Sequence, residues 1–261
     1  MPWEAQSKDK ERRVRMTVYD LHCHTVLSDG EMTLDEVIAK AKAGGYKTGV
    51  SDHLFADGNN TIEDIRHYLD TYEKYEIPLG GEANLGDPVQ LPEAEEARFD
   101  YIIASTHAVY PESGKIALNG WLGQMHGYDE EWDGYDTERA AGLLELSYKQ
   151  MTDFFGSHRA EILGHSNMMP FYDDLPYDSK EVVDWEKAVV ALCKKYGVAL
   201  EISGMWNRPF ERMLRLAKSE GLKFSFGSDA HDIRQAGNLK YCLEMAGKLG
   251  LTDDDLFIPV F

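Results

Sequence analysis

Thr17-Val18-Tyr19-Asp20-Leu21-His22-Cys23-His24 is a short strand-like run that closes on a histidine pair. Alternate side chains of a strand share a face, so His22 and His24 point to one side while Cys23 turns away. The same pattern recurs along the chain. Tyr46 to Ser51 leads into Asp52-His53, Ile77-Pro78-Leu79-Gly80-Gly81 into Glu82, and Phe99 to Thr106 into His107. Glu161-Ile162-Leu163-Gly164 leads into His165, and Lys223 to Ser228 into Asp229-Ala230-His231. Six of the nine histidines, with Asp29, Glu82 and Asp229, thus sit at or just beyond strand ends. One H-x-H pair says little; its repetition points to a multinuclear metal site built by a whole α/β barrel, where the C-terminal strand ends converge on one face.

Between these runs lie amphipathic helical stretches. Thr33 with Glu36 makes a capping box for a helix that Gly44-Gly45 ends. Further helices are expected over about 61–75, 137–155, 179–196 and 209–220. With the strand Val198 to Ser203, seven βα-type units result, one short of a regular eight-stranded barrel. The expected organisation is a charged, loosely held arm over 1–15 and a barrel domain over 16–261. A long excursion at about 108–136 carries Trp121, His126 and Trp132; such loops are commonly lids or substrate walls.

At 261 residues the chain fits one large α/β domain. Forty-six acidic against 27 basic residues, a formal charge of -19, argue against extended nucleic acid as a partner. Cys23, Cys193 and Cys242 are odd in number and widely spaced, which fits neither a disulfide framework nor a zinc knuckle. A reducing cytoplasm is the compartment that cysteine pattern leads one to expect, and with no stretch apolar for the length of a membrane span and no secretory h-region a soluble protein is expected.

Ligand chemistry and strand order divide the polar residues into three groups. His22, His24, Glu82 and Asp229 offer two imidazoles and two carboxylates to a first ion, a set suited to zinc, manganese or iron. Glu82 can bridge to a second ion completed by His107 and His165. Asp29, His53 and His231 form a third group.

The ordered motifs His22-Cys23-His24, Ser28-Asp29-Gly30, Ser51-Asp52-His53, Gly81-Glu82, Ser105-Thr106-His107, Gly164-His165-Ser166-Asn167 and Gly227-Ser228-Asp229-Ala230-His231 resemble the polymerase and histidinol phosphatase (PHP) superfamily over roughly residues 16 to 235. The resemblance implies a distorted (βα)7 barrel that holds up to three divalent metals and hydrolyses phosphate esters, with the ligand groups allotted as above. Two departures stand out. Asn167 occupies a position where many members carry Asp, and Glu201-Ile202-Ser203-Gly204 is a shortened form of the histidinol-phosphatase motif, with Arg208 displaced downstream. Glu201 is expected to be a supporting carboxylate.

Such a site would hydrolyse a small phosphate monoester with a water activated by two to three divalent ions. Asp229, His231 and Asp52 are candidates for the acid that protonates the leaving oxygen. Arg208 and Arg234 are candidates for binding the phosphate, because a guanidinium makes paired, charge-assisted hydrogen bonds. Histidinol phosphate is the leading named substrate. A PHP-type nuclease or nucleotide phosphoesterase, and a non-catalytic metal-binding regulatory module, are the alternatives. An amidohydrolase also opens with H-x-H, but the lysine it carries on a central strand has no counterpart here.

Overall fold

In the computed structural model, which describes residues 16–87, 89–117 and 135–261, the apolar runs become short parallel strands whose polar ends lie together. The strands are β1 (Tyr19–Asp20), β2 (Lys47–Thr48), β3 (His53–Leu54), β4 (Gly80–Asn84), β5 (Tyr101–Ser105), β6 (Ala108–Val109), β7 (Ile116–Ala117), β8 (Ile162–Leu163), β9 (Ala199–Ser203) and β10 (Phe224–Gly227). Six form one parallel sheet in the order β10-β9-β8-β5-β4-β3. β1 and β2 make a separate parallel pair. Every residue of β4, β5 and β9 is buried, as expected for strands covered on both faces.

Continuous pairing therefore resolves into a six-stranded and a two-stranded sheet. Isolated parallel bridges, Cys23 with Ala230 and Val50 with Leu79, run between them. Between the first two strands the ladder gives way to side-chain contacts. The Cys23 amide donates to Ser51 Oγ at 3.1 Å and the Thr25 amide to Asp52 Oδ1 at 2.7 Å, so side chains take up bonds a ladder would use. The second strand, expected as one run from Tyr46, is likewise split into β2 and β3, and His53 falls inside the latter.

Among the described residues, two hydrophobic cores serve these layers. Tyr19, Leu21, Tyr101, Ile103, Ile162 and Ala199 pack together, with Phe257 against them, apart from the larger core beneath the helices. The Tyr101 hydroxyl lies 2.7 Å from the Leu21 carbonyl and 3.1 Å from that of Val50, tying the first two strands together from below. Gly80 is required beside it, since a Cβ there would stand 2.3 Å from the Tyr101 ring.

The helices are α1 (Leu34–Gly44), α2 (Ile62–Tyr72), α3 (Glu93–Glu96), α4 (Thr137–Ser157), α5 (Pro170–Asp173), α6 (Lys180–Tyr196), α7 (Glu211–Ser219) and α8 (Lys240–Leu249). The capping box of α1 forms as expected and Gly45 ends the helix in the left-handed region. A second box, Thr61 with Asp64, starts α2. α8 lies beyond the last unit expected from the sequence, although Cys242, Met245, Ala246 and Leu249 give it a buried stripe at helical spacing. The start of the 108–136 excursion is an antiparallel pair, β6 with β7. Its Trp121, His126 and Trp132, like the 1–15 arm, lie outside the described residues.

Candidate metal centre

The parallel strands deliver nine polar residues to one end of the sheet. His22 and His24 follow β1, His53 lies in β3 and Glu82 at the middle of β4. His107 and His165 come two residues after β5 and β8, and Asp229 and His231 follow β10. Glu82 was expected at a strand end; β4 runs on to Asn84 because Glu82 to Asn84 pair in register with Ile103 to Ser105. His22, His24, His53, Glu82, His165 and Asp229 are buried, whereas Asp29, His107 and His231 keep 38, 23 and 33 % of their side chains exposed.

Glu82 is the hub. Its Oε1 lies 3.1 Å from His22 Nε2, 3.5 Å from His107 Nε2 and 3.3 Å from His165 Nε2. Its Oε2 lies 3.5 Å from His24 Nε2 and 3.1 Å from His53 Nδ1. Asp229 Oδ1 stands 3.5 Å from His22 Nε2 and 3.3 Å from His24 Nε2. Asp29 approaches His53 Nε2 at 3.6 Å and His231 Nε2 at 3.3 Å. Four overlapping sets result: His24, Asp29, His53 and His231; His22, His165 and Asp229; His22, His24 and Glu82; His53, Glu82 and His107.

These atoms fit divalent ions. Ligands arranged tetrahedrally at 2.0–2.2 Å from one zinc lie roughly 3.4 Å apart, the spacing seen here. His22 Nε2, both ring nitrogens of His24 and His165, His53 Nδ1 and both Glu82 oxygens are buried without a hydrogen-bond partner. So many unmatched polar atoms are costly in a protein interior unless something else binds them.

A PHP domain model matches residues 20–204, most of the chain. This chain belongs to the PHP domain family. Among solved structures it is similar to a histidinol phosphate phosphatase from Lactococcus lactis subsp. lactis, solved in complex with Zn, L-histidinol and phosphate. The two share 17% identity and a TM-score of 0.59 over 90% of this chain and 94% of the other. A protein provisionally named a histidinol phosphatase, from Listeria monocytogenes, is similar at 15% identity and a TM-score of 0.61, over 84% of this chain and 97% of that one. At such identities the likeness carries the fold. No curated protein sequence matches the chain.

The charges of this PHP domain site hold one another in place. Burial would raise the Glu82 carboxyl, yet His22, His107 and His53 hold it well below the usual carboxylate range. Asp229 is likewise held low against burial by His22, His24 and His165. Burial, with His231 and His53 alongside, pushes His24 down to about 4. Burial and the neighbouring His165 and His53 bring His107 to about 3, against the pull of Glu82.

Contacts behind the cluster orient its members. His22 Nδ1 lies 2.7 Å from Glu201 Oε1, which turns Nε2 toward Glu82, and Glu201 Oε2 accepts the His165 amide at 2.6 Å. This is the supporting place expected for Glu201. His107 Nδ1 lies 2.5 Å from Asn84 Oδ1, and Asn84 Nδ2 donates to Asp87 at 3.2 Å. Such outer partners select the imidazole tautomer a ligand needs. Asn84 had a sequence signal, two residues beyond Glu82 on the same face of a strand. The Trp206 indole Nε1 donates to Asp229 Oδ2 at 2.5 Å.

The remaining candidates have other partners. Asp52 Oδ1 accepts the Thr25 amide at 2.7 Å and Ser28 Oγ at 2.5 Å, while Oδ2 accepts Thr25 Oγ1 at 2.7 Å. It braces the loop that carries Asp29. Arg208 Nη2 donates to both oxygens of Asp173 at 2.8 Å and the guanidinium lies 4.0 Å from the centre of the Phe210 ring. Its Nη1 is buried without a hydrogen-bond partner. Arg234 is 85 % exposed and paired with Asp232, so the structure does not gather it to the cluster.

Proposed function

We propose that this PHP domain is a metal-dependent phosphatase of a small phosphate monoester, with two to three divalent ions held by His22, His24, Asp29, His53, Glu82, His107, His165, Asp229 and His231. Glu82 carries this proposal. One of its oxygens faces His22, His107 and His165 and the other faces His24 and His53, so Glu82 would help to hold ions on both sides. Divalent zinc, manganese or iron bound there would lower the pKa of a water and offset charge building on the phosphoryl oxygens.

The protein's own groups then have separate tasks. Glu201 and Asn84 hold His22 and His107 with Nε2 turned inward. Arg208 has one unmatched donor, Nη1, on a guanidinium steadied by Asp173, which favours it over Arg234 for holding a phosphate oxygen. Asp52 accepts three hydrogen bonds from Thr25 and Ser28, which ties it to the loop and disfavours it as the proton donor. Asp229 Oδ2 accepts from an indole N–H, a group that only donates, so it carries no proton in that contact. His231, a third exposed beside Asp29, is left to pass a proton to the leaving oxygen when no ion occupies the outer position.

Closure of the two sheets into a seven-stranded barrel is part of the same proposal. The Leu21 amide donates to the Phe226 carbonyl at 2.9 Å and the Gly80 amide to that of Val50 at 2.7 Å, joining β1 to β10 and the second strand to β4. The small core around Tyr101 would be its interior.

Histidinol phosphate is the first substrate to assay, because the similar fold from Lactococcus lactis was solved with L-histidinol and phosphate. Metal-replete protein should release inorganic phosphate from at least one of histidinol phosphate, sugar phosphates and nucleotide monophosphates, and chelation should abolish release. Hydrolysis of short DNA ends alone would favour a nuclease. Turnover of none of them would refute phosphatase activity.

A further inference from the structure

The loop after β9 does more than connect it to α7. Its ends are tied by a bridge between Ser203 and Arg208, and Asn207 at its tip takes the left-handed conformation, φ 53°. The Gly204 amide donates to the Gly227 carbonyl at 2.8 Å, and Asn238 Nδ2 donates to the Gly204 carbonyl at 3.3 Å. Anchored on both sides, the loop sets the Trp206 indole against the outer oxygen of Asp229 at 2.5 Å. Asp229 is itself in left-handed backbone, φ 50°, and its backbone N–H donates a hydrogen bond to the His22 carbonyl at 2.8 Å.

We propose that Trp206 is a positioning residue for Asp229: its indole N–H binds Oδ2 and so turns Oδ1 alone toward His22 and His24. This rests on the metal-binding role proposed above. Without the indole, Asp229 could rotate about its side-chain bonds, and Oδ2, already 3.9 Å from His165 Nε2, would compete for the same ring of histidines. A neutral donor bonded to a carboxylate makes a strong, short hydrogen bond and fixes its rotamer without adding charge to the pocket. Outer partners of this kind change metal affinity about 10- to 100-fold when removed.

The test compares wild type with Trp206→Phe, which keeps an aromatic ring and loses the donor. Zinc affinity is measured by competition with a chromogenic chelator, and the metal-free proteins are compared by thermal melting. The expected result is at least about tenfold weaker zinc binding by the variant, with melting little changed. Equal affinities would overturn the assignment while leaving the metal site standing, whereas a wild type that binds no zinc would overturn both. The wild-type chain gives a second measurement that needs no variant. Of its five tryptophans, one indole N–H resonance should lie at low field, exchange slowly and move on addition of zinc. If no indole resonance moves, Trp206 does not hold Asp229 beside the ion.

Discussion

At the scale of single residues, the site depends as much on what stands behind each ligand as on the ligand. Glu201 holds His22 by its Nδ1, so Glu201→Gln should weaken metal binding or turnover about 10- to 100-fold, measured by metal titration and steady-state kinetics. Arg208→Ala removes the charge-assisted donor proposed for phosphate and should raise KM about tenfold or more, whereas Arg234→Ala should leave kcat and KM within about twofold. Protonation gives a separate check. In the metal-free chain burial works against charging His53 and His231, but Glu82 and Asp29 raise His53 to about 8, and Asp29 and Asp229 raise His231 to about 9. Both folded values lie above the ordinary 6.5, so the stability these rings contribute is complete below 6.5 and lost as pH rises through 8 and 9. Ligation needs the rings neutral, so metal affinity should rise over the same interval. Melts of metal-free protein and metal titrations across that interval should therefore trend in opposite directions; parallel trends would contradict the assignment of His53 and His231 to ions.

At the scale of elements, β10 shows how tightly the strands are fitted to the site. A Cβ on Gly227 would lie 2.1 Å from Glu201 Oε1 and 2.5 Å from His22 Cβ. Gly227→Ala should therefore cost about 1–3 kcal/mol in urea denaturation of the metal-free chain and displace His22 enough to weaken metal binding. The proposed ligands were legible in the sequence because most lie in a strand or within a few residues of its end, and α1 was legible because the Thr33 and Glu36 capping box is entirely local. The split of the second strand was not, because Cys23 and Thr25 bond side chains some 28 and 27 residues away. Trp206 and Asp229 are 23 residues apart and meet only through the turn at Asn207, so periodicity held no trace of their contact. α8 had a readable stripe, but lying after the last histidine it was outside the run of metal motifs.

At the scale of the whole molecule, parallel topology is what allows nine residues spread from His22 to His231 to meet. The parallel strands bring their C-terminal ends to one face, and among the nine only His22, His24 and Asp29, and Asp229 with His231, are near one another in sequence. The net charge of -19 belongs to this scale too: the proposed cations would offset the local crowding of carboxylates and leave most of the acidic excess on the rest of the chain. Among the described residues no helix is long and apolar enough to cross a membrane. If Glu82 serves more than one ion in a polynuclear centre, as proposed, elemental analysis of purified, metal-reconstituted protein should find two to three divalent ions per chain. Fewer than two would rule that sharing out.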